Sequence, residues 1–131
     1  MFGKHNNPFA AYAANSVDAN VSAATPHQLI ILLFEGAENA IGVAKVHMER
    51  GETAQKGALI SRAIDIISNG LMASLDLKDG GPLATQLIAL YDYMVRRLLR
   101  ANIENNPAAL DEVTQLLKEI HSAWVEMPTQ E

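Results

Sequence analysis

Four stretches of this chain repeat apolar residues at intervals of three and four, and nothing else in the sequence constrains its fold as tightly. That spacing lines up side chains on one stripe of an α-helix, and the period-two alternation of a strand competes nowhere. Over 26–50 the stripe is Ile30, Leu33, Ala37, Ala40, Ala44 and Met48. Thr25 is the expected N-cap, Pro26 suits the first helical position, and Gln28 completes a capping box. Gly51 ends the stretch. Over 53–77 the stripe is Ile60, Ile64, Ile67, Leu71 and Leu75, followed by a turn at Lys78-Asp79-Gly80-Gly81, where paired glycines supply positive φ at little steric cost. Pro82 restarts a helix over 82–103, with Leu83, Leu87, Leu90, Met94, Leu98 and Ala101 as its stripe. The break from Asn102 to Pro107 follows because the residue before a proline avoids the helical region. The last stretch, 108–126, carries Leu110, Val113, Leu117, Ile120 and Trp124, with Met127 next in the series.

Four helices joined by short loops predict an all-α fold, an antiparallel up-down-up-down four-helix bundle over 26–127. Residues 1–25 are different in kind. Asn, Ala and Ser dominate there, with Phe2, Phe9, Tyr12, Val17 and Val21 scattered among them. Such a segment is too weak to hold a long helix alone. It is expected to be a mobile or short-helical cap whose apolar residues dock on the bundle.

Composition removes several function classes. A length of 131 residues favours one domain, and 49% hydrophobic residues permit a continuous core. A net charge of -5 argues against a surface that tracks nucleic-acid phosphates and against a basic membrane-binding face. The chain has no cysteine, which excludes disulfides and thiolate chemistry. The longest unbroken aliphatic and aromatic run, Leu29-Ile30-Ile31-Leu32-Leu33-Phe34, falls far short of the about 20 residues of a membrane span. Residues 1–14 lack the apolar centre of a signal peptide. A soluble, cytosolic chain without membrane insertion is expected.

Catalytic constellations do not emerge. His5, His27, His47 and His121 each lack a second histidine at helical spacing, so no metal pair forms. No Glu-x-x-His pair, phosphate loop or Gly-x-Ser-x-Gly elbow occurs. No catalytic, cofactor-binding or metal residue is assigned. A histidine-phosphotransfer bundle using His47 or His121 stays open, beside the plainer reading of both as ordinary surface or helix-end histidines. Arg96, Arg97 and Arg100 form a basic cluster near a helix C-terminus, where the helix dipole favours cations; it reads as a solvated face.

Apolar residues exceed what a bundle core needs, roughly three in seven. The third stretch has a second stripe, Ile88, Tyr91, Val95 and Leu99, and the second has Leu59, Ala63 and Ile66 beside its first. Two readings account for the surplus. Helices packed on two neighbours have wide apolar arcs, and exposed apolar grooves receive partner helices. Tyr91 and Tyr93, two positions apart, face different ways. One is expected to be buried with its hydroxyl at the edge and the other exposed, and the spacing does not choose between them.

The block Leu75-Asp76-Leu77-Lys78-Asp79-Gly80-Gly81, followed by Leu87-Ile88-Ala89-Leu90-Tyr91-Asp92-Tyr93-Met94 and Leu98-Leu99-Arg100-Ala101-Asn102, resembles the signature of the flagellin-specific export chaperone (FliS) family. Tyr12, Val17, Ala24-Thr25-Pro26, Leu33-Phe34-Glu35-Gly36-Ala37, Ala63-Ile64-Asp65-Ile66-Ile67 and Trp124 agree with it in order and spacing. Phe34-Glu35 stands where the family usually has a tyrosine and an aspartate. The resemblance implies a chaperone without nucleotide or metal, whose client is the C-terminal segment of flagellin, disordered in the monomer and helical in the filament. It implies delivery of the loaded complex to the cytoplasmic domain of a membrane protein of the flagellar export gate. It also implies an N-terminal segment that covers part of the empty bundle. On that footing Ile66, Ile88, Tyr91, Val95 and Leu99 are the expected client contacts, with Tyr12 and Val17 as the displaceable lid. Leu33, Ile67, Leu71, Leu87, Leu90, Met94, Leu117 and Trp124 are expected in the core. A weak homodimer and a generic helical adaptor remain alternatives.

Overall fold

Thr25 opens the first helix as its sequence requires. Its hydroxyl accepts from the Gln28 N–H at 3.1 Å, and the Gln28 side chain accepts from the Thr25 N–H at 2.9 Å, a complete capping box. The computed structural model describes residues 24–76 and 80–127, and within them the secondary structure is helical throughout. Helix α1 spans Pro26–Glu49, and Gly51 at φ 72° turns the chain into α2, Thr53–Asp65. α3 is Gly81–Glu104 and α4 is Pro107–Glu126. None of the described helices is long and apolar enough to cross a membrane.

The connection from α3 to α4 falls within the break that the sequence suggested, one residue beyond the expected helix end. Asn102 is still helical, and the stop is Asn105, which takes the left-handed conformation at φ 51°. Asparagine tolerates that conformation better than most residues because its short side chain bonds locally. Asn106 then caps α4, its Oδ1 accepting from the N–H groups of Ala108 and Ala109 at 3.1 and 3.4 Å.

Helix α2 does not run as one α-helix to residue 77. From Ile66 to Met72 it becomes a seven-residue π segment, with i→i+5 hydrogen bonds and a wider turn. The Ser74 hydroxyl closes it, donating to the Leu71 carbonyl at 2.7 Å. Ile66, Ile67, Gly70 and Leu71 all face inward, so two adjacent pairs of residues share the buried side. A side chain at Gly70 would bring its Cβ within 3.2 Å of both Leu33 methyl groups, so this glycine lets α1 and the π segment approach closely.

Helix α1 packs on α2 and α4, and α3 packs on α2 and α4. The start of α1 meets the end of α4: His27 Nε2–H donates to the Trp124 carbonyl at 2.7 Å, Trp124 Nε1–H donates to the His27 carbonyl at 3.3 Å, and the rings stack at 5.2 Å. Further along, Lys45 pairs with Asp111 at 2.9 Å. Leu33, Ile67, Leu71, Met94 and Leu117 are buried, as their stripe positions demand. Leu87, Leu90 and Trp124 are only partly buried and pack against that core from its edge. Leu83, expected on the stripe of α3, is exposed, and Ala84 is the residue of the first turn that turns inward.

Among the described residues, one charged side chain is buried. Lys56 is 4% exposed, and its ammonium donates to the Asn102 carbonyl at 2.9 Å and to Asn105 Oδ1 at 2.7 Å. Helix C-termini leave carbonyls without intrahelical partners and attract positive charge, so Lys56 ties the first turn of α2 to the end of α3. Replacing Lys56 by methionine keeps the aliphatic stem and strands both acceptors. The expected outcome is a loss of about 1–3 kcal/mol of stability, read from the urea midpoint.

Candidate functional site

The two flanks of α3 are distinguished by its tyrosines. The Tyr93 hydroxyl donates to Glu112 Oε2 at 2.5 Å, and Arg97 Nε donates to Glu112 Oε1 at 2.8 Å. This flank is closed by α4. A helix turns about 200° over two residues, so Tyr91 looks away from α4, toward the side on which α2 and its π segment pack. Tyr91 is the buried tyrosine, 3% exposed, and Tyr93 is the half-buried one.

The Tyr93 hydrogen bond, seconded by Arg97, holds the Glu112 carboxyl below its ordinary range, and the same bond pushes the Tyr93 phenol up. A depressed carboxyl contributes stability above its unfolded pKa, and that contribution is lost as pH falls through the folded value. A raised phenol contributes stability below its unfolded pKa, and that contribution is lost as pH rises through the folded value. The pair therefore stabilises across the neutral range. Tyr93→Phe is expected to flatten both limbs of a stability–pH curve, measured by thermal unfolding from acid through strongly alkaline buffer. Both groups are partly exposed and screened by solvent, so the change is small.

The expected client residues occupy graded depths on the α2-facing flank. Ile66 is 1% exposed, held in the π segment, an element that packs on both α1 and α3. That burial moves Ile66 from an outer strip to the core, and Tyr91 shares its depth. For these two residues, packing between neighbours accounts for the wide apolar arc. Ile88 and Val95 are half-buried, and Leu99 is 48% exposed. Ile103, absent from the sequence-based set, is 77% exposed and continues the series one turn beyond Leu99. Its signal was the same four-residue step that links Val95 to Leu99. Tyr12 and Val17 lie outside the described residues.

The basic cluster divides. Arg96 and Arg100 sit on the solvent side in i,i+4 pairs with Asp92 at 3.3 Å and Glu104 at 2.8 Å, while Arg97 belongs to the α4 contact. The α2-facing flank is thus an apolar surface bordered by charges that are already paired. Burial pushes the Tyr91 phenol well up, so its hydroxyl stays neutral at any physiological pH.

His27, His47 and His121 serve helix ends and helix contacts. His47 Nδ1–H donates to Glu52 at 2.6 Å, and His121 Nδ1–H donates to Glu38 at 2.9 Å with its ring stacked on Phe34. No group of three metal-binding side chains converges among the described residues.

Comparison with known proteins meets this architecture directly. The family described as flagellar protein FliS matches residues 8–131. The flagellar secretion chaperone FliS of Salmonella typhimurium is 51% identical over 114 residues, covering 87% of this chain and 84% of that protein. Its counterpart in Escherichia coli is 44% identical over 116 residues, covering 88% and 85%, and that of Bacillus subtilis is 33% identical over 118 residues, covering 90% and 84%. These are chaperones and not enzymes, which sets the phosphotransfer reading aside. A four-helix chain that aligns with them over most of its length belongs to the FliS family of flagellar secretion chaperones.

Proposed function

We propose that this chain is a cytosolic export chaperone that binds the disordered C-terminal segment of flagellin, keeps the subunit unpolymerised and delivers it to the cytoplasmic domain of the membrane export gate. The observation that carries this reading is the apolar flank of α3, open at Leu99 and Ile103 in a member of a secretion-chaperone family. From Ile88 to Ile103 the flank runs about 22 Å at the helical rise per residue. A disordered client that folds on binding typically buries about 1,000–3,000 Å² to offset its ordering, which calls for an elongated surface. Ile88, Val95 and Leu99 touch the client from their side chains, Tyr91 meets it at its hydroxyl edge, and Ile66 supports the floor.

The scaffold in this reading is an up-down-up-down antiparallel bundle over 26–127. Support comes from the ends that meet, His27 with Trp124 and Lys56 with Asn105. Residues 1–25, with Tyr12 and Val17, act as the lid that covers the flank until the client arrives. Titration calorimetry against flagellin, intact and lacking its C-terminal segment, tests the proposal. One-to-one binding of the intact protein, lost on truncation, is expected. Absence of binding to either form would overturn it.

A further inference from the structure

The Tyr91 ring is sealed into the protein, yet its hydroxyl makes no hydrogen bond to any described residue. A polar group left alone in apolar surroundings is costly, and buried tyrosines ordinarily satisfy their O–H. None of the fully enclosed side-chain oxygens and nitrogens among the described residues lacks a partner. The Tyr91 oxygen is therefore not wholly enclosed, although the residue as a whole is 3% exposed. Packing alone does not call for it, since Phe34 fills a comparable buried position with a bare ring. Tyr93, two residues away, has its hydroxyl fully engaged by Glu112. Tyr91 thus holds one polar atom without a described partner at the base of a flank otherwise lined by Ile88, Val95 and Leu99.

We propose that this hydroxyl sets the register of the docked client by hydrogen-bonding a neutral amide or hydroxyl side chain on the apolar face of the client segment. The inference rests on the client reading given above. Apolar contacts between helices tolerate sliding by a turn, whereas a polar group buried among them is satisfied in one alignment only; a single buried asparagine fixes coiled-coil register by this means. A helical client has its main-chain groups bonded internally, which leaves a side chain as the partner. A charged group is disfavoured because nothing of opposite charge on the flank would offset its desolvation.

Tyr91→Phe in the full chain removes one oxygen and keeps the ring. Against intact flagellin, its affinity is expected to fall roughly three- to tenfold, the worth of one neutral hydrogen bond, while the urea midpoint holds or rises. Alanine substitutions at each Asn, Gln, Ser and Thr of the flagellin C-terminal segment then locate the partner. One of them should weaken the unaltered chaperone and leave the Tyr91→Phe chain unaffected, a non-additive cycle. Equal affinities of the two chaperones, or additivity at every client position, would overturn the inference alone. So would a clear loss of stability in Tyr91→Phe, because the hydroxyl would then serve the fold. Failure of the unaltered chain to bind flagellin would remove the inference together with the function beneath it.

Discussion

Val95→Glu is expected to weaken flagellin binding by a hundredfold or more while the chain stays folded. Val95 is half-buried midway along the open flank of α3, between Ile88 and Leu99. In the free protein a glutamate there can bend its stem along the surface and keep its carboxylate in water. Under a docked apolar segment that route is closed, and the charge must be desolvated without a partner. A central contact of this kind typically costs upward of about 2 kcal/mol, and about 2.7 kcal/mol corresponds to a hundredfold. Calorimetry gives the affinity and circular dichroism gives the fold. An unchanged affinity with intact helices would take α3 out of the client surface.

Phe34→Ala should produce the opposite pattern. Phe34 is 1% exposed, and its ring stacks on His121 with centroids 5.4 Å apart and planes 6° from parallel. Removing the ring leaves a cavity between α1 and α4 and takes away the surface on which the His121 imidazole lies. The expected cost is about 3–5 kcal/mol, read from urea unfolding. Binding should fall only in proportion to the unfolded fraction. Under conditions that restore full helicity, the affinity should return to that of the unaltered chain.

The contrast between these two substitutions marks what the sequence could reveal. Apolar spacing and punctuation identify four helices, and the Thr25–Gln28 capping box appears where the residues demand it. Spacing also places Ile88, Val95 and Leu99 on one stripe. Depth along that stripe is another matter, because it depends on which helix lies beside it. Tyr91 and Tyr93 are separated by a known angle, but only the position of α4 decides which of them meets Glu112 and which is enclosed. The π segment was illegible for a related reason. A repeat of three and four is the signature of α turns and gives no hint of a wider one, and the close approach of Leu33 to Gly70 is a tertiary fact. Lys56 stands four residues before Ile60, on the core stripe, but its charge marks it as a surface residue until Asn102 and Asn105 are seen around its ammonium. The third helix, expected to end at 103, ends at Glu104, where Asn105 itself takes up the left-handed turn inside the expected break.

The clasp between His27 and Trp124 gives the molecule a built-in gauge. Trp124 is the chain's single tryptophan, and its indole both stacks on the imidazole and bonds to the backbone at the opening turn of α1. Its fluorescence therefore comes from one place, the junction between the first helix and the last. Any event that pries that junction apart changes the emission without a label or a substitution, so the order in which this end of the bundle loosens and the rest unfolds can be timed from the intrinsic signal alone.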